Sequence, residues 1–232
     1  MNKIGIIGAM DEEVAILKGQ MQDVTIKTIA SMEFCEGTLS GKEVVVVRCG
    51  IGKVNAAVCT QILADVYHID AVINTGIAGS LRDEIEIADI VLSTDTQQHD
   101  MDVTGFGYGL GVIPRMECYI FQADLQLITL AKEVCAEVIP TVGVHTGRIV
   151  SGDQFISDSG KKAWLVENFN GYCTEMEGAA IAQTAYLNQI PFLIIRAISD
   201  KADDSAKMTY SEFEEVAIKN TIKLLNGLIA KL

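Results

Sequence analysis

The sequence predicts an α/β fold built as one domain over residues 1–232. Three observations predict it. Short apolar, β-branched runs alternate with longer amphipathic stretches, the pattern of strands separated by helices and of a largely parallel sheet with helices on its faces. The apolar fraction is 49 % over 232 residues with three prolines, enough for one sizeable core. No internal repeat, low-complexity tract or linker divides the chain.

The elements follow in order. Ile4–Ile7 reads as a buried strand, and Val44–Val47 as another set off by the turn residues Ser40 and Gly41. Lys53 to Tyr67 carries apolar residues at helical spacing (Val54, Ala57, Val58, Ile62, Val66) and predicts a helix. Ala71–Thr75 is strand-like and runs into Gly76-Ile77-Ala78-Gly79, read as a glycine-rich turn, and Ile90–Ser93 repeats the strand pattern. In the second half Asp124 is placed to cap a helix reaching Val138, with Pro140 just beyond its end. Val142–Ser151 predicts a strand, Glu177–Leu187 a helix, Phe192–Ile198 a strong strand, and Tyr210–Leu232 a terminal helix. Residues 97–117 differ. Gly105, Gly107, Gly109 and Gly111 alternate with Phe106, Tyr108 and Leu110 in a long loop, which is either disordered or held by a ligand or a second subunit.

Charge and composition exclude several classes. A formal net charge of −13 disfavours nucleic acid, anionic membranes and polyanionic substrates, because binding any of them requires Lys and Arg to replace counterions. A neutral or zwitterionic small molecule fits better. No stretch approaches the roughly 18 consecutive apolar residues of a membrane span, and the first residues lack the pattern of an export signal, so a cytoplasmic location is expected. The six cysteines include no Cys-x-x-Cys pair and read as free buried thiols. His99, Asp100 and Asp102 superficially suggest a metal cluster, but consecutive residues do not all point at one ion, and no metal or cofactor is expected.

In an open α/β sheet, ligands gather where strands end. Four strand-ends carry unusual chemistry: Gly8-Ala9-Met10-Asp11-Glu12-Glu13, Asn74 to Gly79, Cys173-Thr174-Glu175-Met176-Glu177, and Arg196-Ala197-Ile198-Ser199-Asp200. Each has a bland explanation. Acids favour the first turn of a helix, glycines permit turns, and Ser199-Asp200 resembles a helix N-cap pair. Together, carboxylates at three of the four ends point to acid/base chemistry. Cleavage of a glycosidic bond suits them: its oxocarbenium-like transition state is stabilised by negative charge, one acid protonates the leaving group and another activates water. A further carboxylate can grip a sugar's hydroxyls. The residues alone do not identify the sugar or the base.

At these residues the chain resembles the bacterial 5'-methylthioadenosine/S-adenosylhomocysteine nucleosidase family. The resemblance is carried by Met1 to Val14 with its GIIGAMDEEV run, Arg48 to Ala57, Asn74 to Gly79, His99 to Thr104, Ser151 to Ile156, Glu175 to Ala180 and Arg196 to Asp200, in order along nearly the whole chain. It implies a nucleoside phosphorylase-like, three-layer α/β/α fold around a twisted mixed sheet, and a homodimer. It further implies that Glu13 activates water, that Asp200, oriented by Ser199, protonates adenine N7, and that Glu177 holds the ribose hydroxyls with Met176 against the sugar. Phe155 would stack near adenine while the backbone of Ile156 reads the base edge, and Arg196 would lie near the water. Ala78, Gly79, Thr174 and Glu175 would border the substrate, with Met10, Ile51, Tyr210 and Phe213 at the ribose and alkylthio end. Phe106, Tyr108 and Pro114 of the 97–117 loop would complete the neighbouring subunit's pocket. Ile77 stands where many members have Ser, which removes a hydroxyl from the site.

The implied substrates are methylthioadenosine and S-adenosylhomocysteine, with 5'-deoxyadenosine as a further one. Rival readings are a phosphorolytic nucleoside phosphorylase and an aminodeoxyfutalosine nucleosidase of the same fold. Acids in the first loop oppose phosphate. A nucleoside sensor without activity should have lost Glu13, Glu177 or Asp200, and all three are present. A dinucleotide site fails because Gly5-Ile6-Ile7-Gly8 lacks the third glycine of its pattern.

Overall fold

The computed structural model describes residues 1–203 and 206–232, apart from the side chains of 207–212, 214 and 215. Among the described residues ten strands form one sheet. They are β1 (Lys3–Gly8), β2 (Gln22–Ile29), β3 (Met32–Leu39), β4 (Lys42–Arg48), β5 (Ala71–Ser80), β6 (Ile90–Gln98), β7 (Phe121–Gln122), β8 (Val144–Ser151), β9 (Cys173–Glu175) and β10 (Phe192–Asp200). The helices are α1 (Asp11–Gln20), α2 (Lys53–Tyr67), α3 (Leu125–Val138), α4 (Ser159–Phe169), α5 (Gly178–Leu187) and α6 (Ala206–Lys231).

The strand order is β10-β6-β8-β9-β5-β1-β4-β3-β2, and β10 pairs with β5 as well, so β5, β10, β6, β8 and β9 close on one another. Pairings β1–β4, β1–β5 and β5–β10 are parallel, while β6–β10, β5–β9, β2–β3 and β3–β4 are antiparallel. The sheet is thus mixed rather than largely parallel. Hydrophobic alternation reports helices between strands, but not the direction in which a returning strand enters the sheet.

Local physics explains the elements. Val44–Val47 are wholly buried, and each stabilises the fold by roughly 1.5–3 kcal/mol. Asp124 caps α3 by accepting from the backbone N–H groups of Gln126 and Leu127, both at 2.9 Å. Helix α2 spans Lys53–Tyr67 as predicted and ends on His68 in the left-handed conformation. The terminal helix starts earlier than its apolar pattern suggested, at Ala206. Helices α2 and α5 pack together, as do α6 with α3 and α1, and both groups flank the sheet. A smaller apolar cluster gathers Leu165 and Phe169 of α4 with Leu81, Val150, Ile156 and Ala202.

The glycine-rich segment 76–79 is a correction. It is not a turn: β5 continues straight through it to Ser80. A Cβ on Gly76 would collide with the Arg196 guanidinium and the Glu13 carboxylate, and one on Gly79 would stand 2.7 Å from Asp200 Oδ1. Glycine serves close approach here rather than chain reversal. Ser199-Asp200 likewise caps no helix; both residues close β10, where a register shift against β5 falls between Ile198 and Asp200. Such irregularities re-aim side chains at a strand end.

Candidate active site

A cavity of about 490 Å³ opens where β1, β5, β9 and β10 end. The sequence-predicted residues Met10, Glu13, Ile51, Ala78, Gly79 and Phe155 line it, as do Thr174 to Glu177 and Ser199-Asp200, joined by Ala9 and Ile77. Arg196 and Ile156 are not among the lining residues. The side chain of Tyr210 lies outside what is described.

The Glu13 carboxylate is fixed by the backbone. Oε2 accepts from Ala9 N at 2.6 Å and Met10 N at 3.0 Å, and Oε1 from Ile77 N at 3.2 Å. As the third residue of α1 it reaches back to the residue before the helix, half of a capping box, which is why a glutamate at this spacing is held so rigidly. Burial raises its pKa, and Arg196 together with these three donors pulls the other way. Ile77 therefore enters the site through its backbone N–H, and its side chain supplies only apolar wall.

Arg196 sits wholly buried on β10 behind that wall. Its Nη2 donates to Asn74 Oδ1 at 2.6 Å and pairs closely with Glu175, while Glu177 Oε2 lies 3.8 Å away. Burial works against its charge, but Glu175, Glu177 and Glu13 more than offset this and keep the guanidinium ionised. Although Glu175 borders the cavity, its carboxylate is occupied internally: it receives Ser151 Oγ, Arg196 and the backbone N–H groups of Glu177 and Gly178. Its place is to orient its neighbours.

Glu177 stands at the start of α5 and accepts from Gly52 N at 2.8 Å, which puts it beside Ile51. Burial first, then the adjacent Glu175 charge, push its pKa up to about 7. Asp200 lies at the other end, against Gly79. Ser199 Oγ donates to its Oδ2 and Ala202 N to its Oδ1, each at 2.8 Å. Burial raises the Asp200 pKa, and these two donors only partly oppose it. The cavity therefore has an order, from Asp200 through Glu13 to Glu177, Ile51 and Met10. Cys49 borders this carboxylate group; burial pushes its thiol up to about 12, so it stays protonated at neutral pH.

The remaining predicted residues lie elsewhere. The Ile156 side chain packs in the smaller apolar cluster. In the 97–117 loop, Thr104–Phe106 form a 3₁₀ turn, and Asp102 Oδ1 ahead of it accepts from Thr104 N at 2.9 Å. Phe106 is 86 % exposed, and neither Phe106, Tyr108 nor Pro114 lines this chain's own cavity. The candidate metal ligands of this segment diverge: Asp100 pairs with Lys53 at 2.6 Å while the His99 ring is buried against Phe169. Among the described residues no group of three or more His, Cys, Asp or Glu is arranged to hold a metal ion, and no helix is long and apolar enough to cross a membrane.

The family model described as the phosphorylase superfamily matches residues 3–230. The 5'-methylthioadenosine/S-adenosylhomocysteine nucleosidase of Exiguobacterium sp. is 43 % identical over 231 residues, covering 99 % of this chain and 98 % of its own. The crystal structure of the Neisseria meningitidis nucleosidase of the same name, in complex with methylthio-immucillin-A, superposes with a TM-score of 0.96 at 39 % identity and full coverage of both chains. Futalosine hydrolase of Helicobacter pylori superposes at 0.94 with 33 % identity, covering 100 % of this chain and 98 % of its own. With the fold, the site and these likenesses in agreement, the chain belongs to the phosphorylase superfamily and, within it, to the 5'-methylthioadenosine/S-adenosylhomocysteine nucleosidases.

Proposed function

We propose that the chain hydrolyses the N-glycosidic bond of 5'-methylthioadenosine and S-adenosylhomocysteine, releasing adenine and the corresponding 5'-thioribose, and so serves methionine salvage and S-adenosylmethionine recycling. One observation carries the choice of water over phosphate. The described residues that line the cavity include Glu13, Glu175, Glu177 and Asp200 but no Lys or Arg, and Arg196 behind the wall is already paired. A phosphate dianion placed there would meet the carboxylates of Glu13, Glu175 and Glu177 with no lining Lys or Arg to balance it, whereas an oxocarbenium-like transition state would be stabilised by them.

Protonated Asp200 delivers its proton to adenine N7 as the C1'–N9 bond breaks, and its raised pKa keeps that proton available. Glu13 removes a proton from the water that attacks C1'. Three backbone N–H donors hold its carboxylate still, so little reorganisation accompanies the transfer. Ionised Glu177 accepts from the ribose hydroxyls, Met176 packs on the sugar and Phe155 on the base. Ser199 orients Asp200, and Arg196 steadies the glutamates. The backbone of Ile156 and the side chain of Tyr210 are assigned to the base and the alkylthio end through the resemblance alone.

A homodimer suits the 97–117 loop, whose Phe106 and Tyr108 face outward while Pro114 is half-buried. In this reading the loop closes the neighbour's alkylthio pocket. The six free cysteines suit a reducing cytoplasm. The likeness to a futalosine hydrolase keeps one second reading in view, a nucleosidase acting on 5'-substituted adenosines with larger tails. The test is adenine release from a panel of methylthioadenosine, S-adenosylhomocysteine, 5'-deoxyadenosine and aminodeoxyfutalosine. Turnover of the first two supports the proposal, and turnover of aminodeoxyfutalosine alone would replace it.

A further inference from the structure

Two loops that border the cavity are tied to each other by three charged residues that do not line it, Lys53, Asp100 and Asp153. Residues 50–53 lead from β4 into α2 and carry Ile51; residues 152–156 follow β8 and carry Phe155. Gly52 sits at φ +97°, which favours glycine, and so starts α2 with no side chain of its own to cap it. Two backbone donors at that helix start are satisfied from elsewhere in the chain. Asp153 Oδ1 accepts from Lys53 N at 2.8 Å, and Glu177 Oε1 accepts from Gly52 N at 2.8 Å. Side chains then close a ring. Lys53 Nζ donates to Asp100 Oδ1 at 2.6 Å and to Gln98 Oε1 at 2.9 Å, while Asp153 N donates to Asp100 Oδ2 at 2.9 Å. The His99 ring packs under the same loop so closely that a Cβ on Gly152 would collide with it.

We infer that Lys53, Asp100 and Asp153 form a clasp that fixes the 152–156 loop against the 50–53 loop, with Asp100 a positioning residue for hydrolysis that acts through its two partners on Phe155 and Glu177. The inference rests on the hydrolase reading above, in which Phe155 packs on the base and ionised Glu177 holds the ribose hydroxyls. One Asp100 oxygen takes the Lys53 ammonium and the other takes the Asp153 backbone, so losing this carboxylate loosens both loops at once. The Lys53 and Asp100 side chains are 19 % and 18 % exposed, so solvent screens them less than a surface pair, and removing one strands the other. Burial opposes the Asp100 charge, but Lys53, the Asp153 N–H and His99 overcome it and hold the carboxyl below its usual range. With the clasp open, Gly52 N draws back from Glu177 and withdraws a donor from the charged form of that carboxylate. Glu177 is then left with Arg196 favouring its charge, Glu175 and Glu13 opposing it, and the protonated Cys49 thiol alongside.

Profiles of kcat/KM against pH for methylthioadenosine test this in wild type, Asp100→Asn, Lys53→Met, the double variant and Asp153→Ala. Each single variant should lose about tenfold at pH 7. The double variant should be scarcely worse than either, because the ring opens only once. The acid limb, set by Glu177, should move upward by about half a pH unit or more in every variant. The sign is decisive. Acting on Glu177 through space alone, loss of an anion at position 100 or 153 would move that limb down, and only loss of the Lys53 cation would move it up. Lys53→Arg keeps the charge and should retain most of the activity that Lys53→Met loses. Opposite shifts at Asp100 and Lys53, additive losses in the double variant, or wild-type profiles throughout overturn the clasp and leave the hydrolase reading intact. Should Asp100→Asn fail to fold, Lys53→Met and Asp153→Ala decide by the same signs, Asp153 being on the surface. A wild-type protein that releases no adenine rejects the hydrolase reading, and the clasp's role with it.

Discussion

Asp200 and Glu177 are both carboxylates raised by burial, yet they are asked for opposite protonation states. In the proposed mechanism Asp200 donates a proton, so Asp200→Asn should lower kcat by about 10²- to 10⁴-fold, the usual worth of a general acid, while a non-cleavable nucleoside analogue still binds within a few-fold. Wild-type turnover in that variant would remove Asp200 from its role. In the same proposal Glu177 accepts hydrogen bonds from the ribose and acts ionised. With its pKa near 7 against an ordinary 4.5, the folded protein retains a proton between those pH values that the unfolded chain has released. This group's contribution to stability is therefore fully present below about pH 4.5 and is lost as pH rises through about 7. Glu177→Gln, fixed in the neutral form, should melt higher than wild type at pH 8, by the equivalent of a few kcal/mol, and the difference should vanish near pH 4.5. Activity should nevertheless be lost. Equal melting temperatures at pH 8 would contradict a buried, charged Glu177.

At the scale of elements, the parallel pairing of β5 and β10 builds the site, and glycine on β5 makes room for the side chains that meet there. Gly76→Ala pushes a methyl group into Arg196 and Glu13 and should cost roughly 1–3 kcal/mol of stability along with most activity. Gly105→Ala, which meets nothing within 4 Å, is the matched control and should leave the melting temperature unchanged. Thermal melts of the two variants decide it. Much of this architecture was legible beforehand. Buried runs such as Val44–Val47 and the capped helix after Asp124 announce themselves because burial and capping leave strong local patterns. Hairpin β2–β3 did not: β2 is exposed along nearly its whole length, and its turn uses Ala30-Ser31 at positive φ in place of the usual Asn-Gly. Most of the candidate site was legible through its acids. That Glu175 and Arg196 face each other rather than a ligand was not, because Asn74 and Glu175 meet Arg196, and Ser151 meets Glu175, only when four separate strands align.

For the whole molecule, the charge of −13 and the acid-lined cavity tell one story, a catalyst for a neutral or cationic species with no need of an anionic co-substrate. The outward-facing Phe106 bears on a second point, the proposed sharing of the site between two chains. If the loop serves the neighbour's pocket, Phe106→Ala should weaken methylthioadenosine turnover while the chain's own cavity residues are untouched. Mixing it with Asp200→Asn, after exchange of subunits, should restore activity, because each mixed dimer then holds one site with both an intact Asp200 and an intact partner loop. Absence of any recovery, or sedimentation of wild type at the 25.1 kDa of a single chain, would reject the shared site.

The claim on which all of this depends is that water, not phosphate, attacks the sugar. The direct measurement is adenine release from methylthioadenosine in ¹⁸O-labelled water, with and without phosphate, followed by mass analysis of the sugar product. The expected result is release independent of phosphate, with one label in free methylthioribose. Release that requires phosphate and yields an unlabelled sugar 1-phosphate would contradict the account and leave Glu13 without a water to activate.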